Sequence, residues 1–119
     1  MATYRFEARL KLVSPNVQEH WAKKHQRSIV QKSSILMEWL RHHRPKISTP
    51  CTVTLIRYGV RQFDSDNLQS SFKTIRDTVA DIIKPGHAPG QADSDKSITW
   101  QYQQASAKNP SVVIEIVEE

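Results

Sequence analysis

Asp66-Asn67-Leu68-Gln69-Ser70-Ser71-Phe72-Lys73-Thr74-Ile75-Arg76-Asp77-Thr78-Val79-Ala80-Asp81-Ile82 carries its large apolar residues at 68, 72, 75, 79 and 82. Steps of four and three follow the 3.6-residue turn, so this stretch reads as one amphipathic helix with a single dry face. Asp66 or Asn67 can cap its start, and Lys84-Pro85-Gly86 ends it. On its wet surface Lys73 and Asp77 stand four apart, a pair worth a few tenths of a kcal/mol at most.

Strand-like segments lie on both sides. Upstream, Val53 and Leu55 with Thr52, Thr54 and Ile56 make a strand ending near Tyr58, and residues 59–63 connect it to the helix. Downstream, a Pro- and Gly-rich loop over residues 85–90 leads to a strand over 97–103. Lys108-Asn109-Pro110 turns the chain into a last strand over 111–117. At the other end, residues 4–12 alternate apolar and polar and read as a first strand. Ser14-Pro15-Asn16 breaks it and can start a helix. Trp21, Ile29, Leu36 and Leu40, supported by Ile35 and Trp39, recur at helical spacing through about Arg41. That predicts a helix of about 24 residues, stopped by Pro45. The order β-α-β-α-β-β predicts a mixed α/β (α+β) fold. One domain spans residues 1–119, a small four-stranded sheet covered by two helices. Trp21, Trp39 and Trp100 are expected in the core or at its rim.

The chain has 119 residues, 38% of them apolar and 24% charged, which suits one compact domain. No apolar run approaches the roughly 20 residues that span a bilayer, and residues 1–5 lack the apolar core of a secretory signal. Cys51 is the single cysteine, so an intrachain disulfide is excluded. A cytoplasmic protein away from membranes is expected, with Cys51 a small buried residue.

The net charge of +5 is unevenly spread: residues 1–63 carry +9 and residues 64–119 carry −4. A basic first half suits a polyanion, because displacing counterions from phosphates favours binding. Lys23, Lys24, Arg27 and Lys32 lie on the first helix, with Arg41, Arg44 and Lys46 at its tail. Arg57 and Arg61 flank the acidic segment that follows, where Arg61 can clamp a phosphate. His42 and His43 suit the helix C-terminus, and His87 lies in the loop before the later aspartates.

Asp64-Ser65-Asp66 opens the second helix and Asp93-Ser94-Asp95 leads into the third strand. Carboxylates repel phosphates unless a metal stands between them. If the loop folds back beside the helix start, Asp64, Asp66, Asp93 and Asp95 form one pocket for Mg²⁺ or Mn²⁺. Such a site can hydrolyse a phosphodiester. Each pair can equally serve as a cap or a turn.

Three segments carry a resemblance: residues 61–68 around Asp64-Ser65-Asp66-Asn67-Leu68, residues 73–81, and residues 93–104 from Asp93-Ser94-Asp95 through Trp100. Together with Ser14-Pro15-Asn16 to Trp21 they resemble the RusA-type Holliday junction resolvases of bacteria and their prophages. The resemblance implies a homodimeric, Mg²⁺-dependent endonuclease that nicks four-way DNA junctions symmetrically, Mn²⁺ substituting. It implies Asp64 and Asp66 as catalytic metal ligands, with Asp93 or Asp95 as the third carboxylate. The family's lysine, four residues after the second aspartate, is Ser70 here, and Lys73 is the nearest lysine on the same helix. The rival readings are a non-catalytic binder of branched DNA and a less selective phage DNA nuclease.

Overall fold

The structure is a computed structural model that describes residues 2–15, 17–87 and 91–119. Four strands form one sheet: β1 (Thr3–Ala8), β2 (Cys51–Gly59), β3 (Ile98–Ser106) and β4 (Ser111–Glu118). Their order across the sheet is β1-β4-β2-β3. β4 is antiparallel to both neighbours, with Phe6 beside Ile114 and Leu55 beside Ile114 on its other edge. β2 and β3 are parallel, running in register from Cys51 beside Ile98 to Gly59 beside Ser106.

Period-two alternation gives the sheet one dry and one wet face. Phe6, Ala8, Cys51, Val53, Leu55, Ile98, Ile114 and Ile116 are buried and form the core with the helices. Cys51 is fully buried, as its sequence position suggests. The opposite face carries Thr54 bonded to Gln101 at 3.3 Å, and Arg5 paired across the strands with Glu115. β1 ends at Ala8, short of the expected Leu12, because its partner β4 begins at Ser111 and the ladder has nothing further to pair with.

The long helix α1 (Trp21–Arg41) packs against β1 and the second helical layer. His20 caps it, its Nδ1 accepting from the Ala22 N–H at 3.2 Å. Asn16, expected to begin this helix, lies outside the described residues. The buried face is Gln31 and Ile35, continued by half-buried Ser28 and Trp39. This differs from the expected stripe. Trp21 is 73% exposed and Ile29 and Leu40 more than 40%, because steps of three and four through Ser28, Gln31, Ile35 and Trp39 turn them away from β1.

α1 stops at Arg41, four residues before Pro45, which has no N–H to continue the helical bonding to the Arg41 carbonyl. The stop is a Schellman turn. The His43 N–H donates to the Leu40 carbonyl and the Arg44 N–H to the Trp39 carbonyl, both at 3.0 Å. His43 and Arg44 adopt φ of 64° and 50°, where glycine is favoured.

The expected second helix is two helices, α2 (Ser65–Ser71) and α3 (Lys73–Ile83), broken at Phe72. Phe72 has no exposed surface, and its ring centroid is 6.0 Å from that of Tyr102 on β3. Its φ of −90° and ψ of 2° let the chain pivot on this anchor. Both halves still face the sheet, through Leu68 on α2 and Ile75, Val79 and Ile83 on α3. A 3₁₀ turn, Ala92–Ser94, follows the loop, of which residues 88–90 lie outside the description. No helix among the described residues is long and apolar enough to cross a membrane.

The left-handed residue closing α1 gives a stability test. Replacing His43 by glycine removes a Cβ penalty of about 1 kcal/mol at the position following the cap. The expected result is a higher urea midpoint with an unchanged slope.

Candidate functional site

The acidic segment is held by a side chain imitating a strand. Gln104 on β3 accepts from the Phe63 N–H at 2.9 Å and donates to the Phe63 carbonyl at 2.7 Å. Asp64 follows in extended conformation, and its carbonyl accepts the first helical bond of α2, from Leu68 at 2.8 Å. The sequence suggested Asp66 or Asn67 as the cap; the cap position is Asp64, whose carboxylate makes no capping bond. Asp64 and Asp66 are both exposed, and neither carboxylate has a hydrogen bond or ion pair among the described residues. Two unengaged carboxylates two residues apart suit a hard divalent cation.

The later pair is committed elsewhere. Arg76 on α3 reaches across to it. Its Nη1 donates to the Tyr102 hydroxyl at 2.8 Å and its Nη2 to the Asp93 carbonyl at 3.1 Å. Its Nε lies 3.4 Å from the Asp93 carboxylate, an ion-pair contact without hydrogen-bond alignment. The guanidinium also sits 4.7 Å from the Trp100 ring centroid, and the Trp100 indole N–H donates to the same Asp93 carbonyl at 3.2 Å. Arg76 thus fastens the 3₁₀ turn to α3 and β3. The Asp95 carboxylate makes an Asx turn, accepting from the Ser97 N–H at 2.9 Å and hydroxyl at 2.6 Å. Its second oxygen is 3.5 Å from His87 Nε2.

Electrostatics separates two of these acids. The two bonds from Ser97 hold the Asp95 carboxyl below the usual aspartate range, with Lys84 and His87 adding to the effect. Burial raises Asp77; the charges of Asp93 and Asp81 push the same way, while Lys73, 3.6 Å away, opposes them. Asp77, read from sequence only as a surface partner of Lys73, is therefore coupled to Asp93.

Among the described residues no group of three or more His, Cys, Asp or Glu side chains is placed to hold a metal. The fold explains why the four aspartates are not gathered. Asp64 follows Phe63, which is tied to Gln104, whereas Asp93 is tied to Trp100. Four residues of strand separate those anchors, about 13 Å. The break at Phe72 also puts Lys73 on a different helix, α3, from Asp66 on α2.

The basic residues fall into separate groups. Lys24, Arg27 and Lys73 line one cleft of about 630 Å³, floored by Ser70, Ser71 and Asp77. The Thr74 and Ser28 hydroxyls, 3.2 Å apart, tie α3 to α1 across it, and Arg27 is paired with Glu19. Lys32, Arg44 and Lys46 line a second cleft beside Asp81. Lys23 is exposed, and Arg41 pairs with Glu38 at 2.8 Å. Arg61 is exposed. Arg57, which with Arg61 flanks the acidic segment in sequence, is only 7% exposed, because β2 aims it under the connector. Sequence reasoning gave no role to Arg76; its signal was a cation inside the apolar stripe, between Ile75 and Val79.

The two shifted aspartates make a pH prediction. The depressed pKa of Asp95 contributes stability above the ordinary aspartate range, lost as pH falls through its folded value. The raised pKa of Asp77 has the opposite sign: protonation as pH falls through it favours the folded chain. A carboxyl carbon NMR titration is expected to show Asp77 protonating before Asp95 as pH falls, and Ser97→Ala to move Asp95 upward. Compared with known families and curated proteins, the chain matches no family model and no curated sequence.

Proposed function

We propose that the chain is a metal-dependent, structure-selective DNA endonuclease that resolves four-way junctions by paired phosphodiester hydrolysis. It would act in the cytoplasm as a homodimer, in the manner of the RusA-type resolvases it resembles. One observation carries the reading. The unengaged pair Asp64 and Asp66 stands one helical turn before Ser70, where the cleft holding Lys24, Arg27 and Lys73 begins. Carboxylates next to cations are what metal-assisted phosphate chemistry requires.

In this reading Asp64 and Asp66 would hold Mg²⁺, or Mn²⁺ in its place, whose chemistry when bound would be to offset charge on the scissile phosphate and acidify water. Lys24 and Arg27 bind backbone phosphates, positioning the strand without reading its sequence. Lys73, exposed and only loosely paired with Asp77, faces the phosphate beside them. The third carboxylate that the resemblance implies, Asp93 or Asp95, stands at the start of β3, where Arg76 engages Asp93 and Ser97 engages Asp95. The engagement of Asp93 by Arg76 favours the second reading, a binder of branched DNA without cleavage.

Cleavage of a labelled four-way junction separates the two. With Mg²⁺ the native chain is expected to give paired symmetric nicks, abolished by EDTA and reduced about 10²–10³-fold by Asp66→Asn. Tight junction binding with no nicks under Mg²⁺ or Mn²⁺ would establish the binding module instead. In either case replacing Lys24 and Arg27 by glutamine is expected to weaken junction binding. The slope of log affinity against log salt falls by about 0.9 for each phosphate that is no longer neutralised.

A further inference from the structure

At the carboxyl end of β2 lies a cavity of about 480 Å³. Leu12, Val13, Val17, Val60 and Pro110 give it an aliphatic wall, and Lys11, Arg57 and Arg61 give it charge. Arg57 is the buried member. Its guanidinium carbon is 3.6 Å from the centroid of the Phe63 ring, and its Nη1 donates to the Arg61 carbonyl at 2.5 Å. Neither Nε nor Nη2 makes a hydrogen bond among the described residues, and no carboxylate there forms an ion pair with Arg57.

Burying a guanidinium costs several kcal/mol unless it is well paired. One neutral carbonyl and one aromatic face offset part of that, and the remaining donors are not sealed from solvent, since among the described residues the buried nitrogen without a partner is Arg76 Nε. Burial lowers the Arg57 pKa. Room for the group is built into the backbone. A Cβ on Gly59 would stand 2.6 Å from Nη2, so only glycine leaves the guanidinium where it is. The surplus donors of a rigid fork, with two more cations beside it, match a phosphate better than a single carboxylate. The aliphatic wall and the volume match a flat ring next to that phosphate.

We propose that this cavity is a nucleotide pocket, taking one unpaired nucleotide with its phosphate on Arg57 and its base against the aliphatic wall. Neither Asp64 nor Asp66 lines it, so the pocket does not depend on cleavage.

Amide NMR titration of the intact chain with thymidine 5′-monophosphate tests it. Saturating shifts are expected at Val13, Gly59, Val60 and Phe63, with thymidine and inorganic phosphate each binding at least about tenfold more weakly. Arg57→Gln is expected to weaken the monophosphate at least about tenfold. Val60→Asp, at the exposed rim, is expected to do the same without touching the buried group, which covers the case that Arg57→Gln fails to fold. Asp66→Asn is expected to bind normally while losing cleavage. A 5′-phosphorylated tetranucleotide that shifts the same amides identifies a nucleotide within a strand, and shifts with the monophosphate alone identify a free nucleotide. Absence of saturating shifts at about 5 mM, equal binding by inorganic phosphate, or unchanged affinity in Val60→Asp and folded Arg57→Gln would overturn the proposal.

Discussion

Two adjacent parallel strands cannot be joined by a tight turn, and this constraint on β2 and β3 organises the molecule. The chain leaves β2 at Gly59 and must return to the opposite end of the sheet before β3 begins at Ile98. α2 and α3 make that return over the dry face, pivoting on Phe72. Everything chemical follows from the route. Residues 57–66 collect at the carboxyl ends of the parallel pair, where ligands of α/β sheets commonly bind. Residues 93–97 collect at its start.

Two arginines hold the ends of this crossover, by contrasting means. Arg76 is nearly saturated: a carboxylate, a carbonyl, a hydroxyl and an indole surround it, and it works as a rivet between α3, β3 and the 3₁₀ turn. Arg57 has a ring and one carbonyl, and donors to spare. It is the more deeply buried of the two, while the buried nitrogen left without a hydrogen bond among the described residues is Arg76 Nε. Spare donors at a cavity can take an anion, which a riveted guanidinium cannot.

Much of the fold was legible because its signals are local. The 68-72-75-79-82 spacing located the crossover, and the β-branched apolar stretches ending near Tyr58 and over 111–117 located two of the strands. The break at Phe72 was not legible, since the apolar spacing runs through it unbroken and the cause is a ring wedged against Tyr102 from another strand. The buried face of α1 was misread because Trp21, Ile29 and Leu40 outweigh Gln31 and Ser28 in any apolar count. Yet Gln31 faces inward and Ser28 bonds Thr74. At the candidate site the sequence singled out the four aspartates, but only part of what engages the later pair is local. Ser97 for Asp95 lay within view; Arg76 for Asp93 lay 17 residues away. Parallel pairing, which decides the distance between the two acidic pairs, leaves no mark in either strand alone.

The sheet order has a consequence for how the protein is made. β4, the last strand in the chain, is the one flanked by β1 and β2, so both earlier strands wait for it. On the ribosome, α1, α2 and α3 can form as soon as they emerge, while the sheet has no centre until residues 111–118 clear the exit tunnel. Pairing Thr3 with Val117 closes nearly the whole length of the chain in one step, a slow one by topology. Until then the β1 edge and one edge of β2 stay unpaired, and that interval is when this chain is most exposed to association with its own copies.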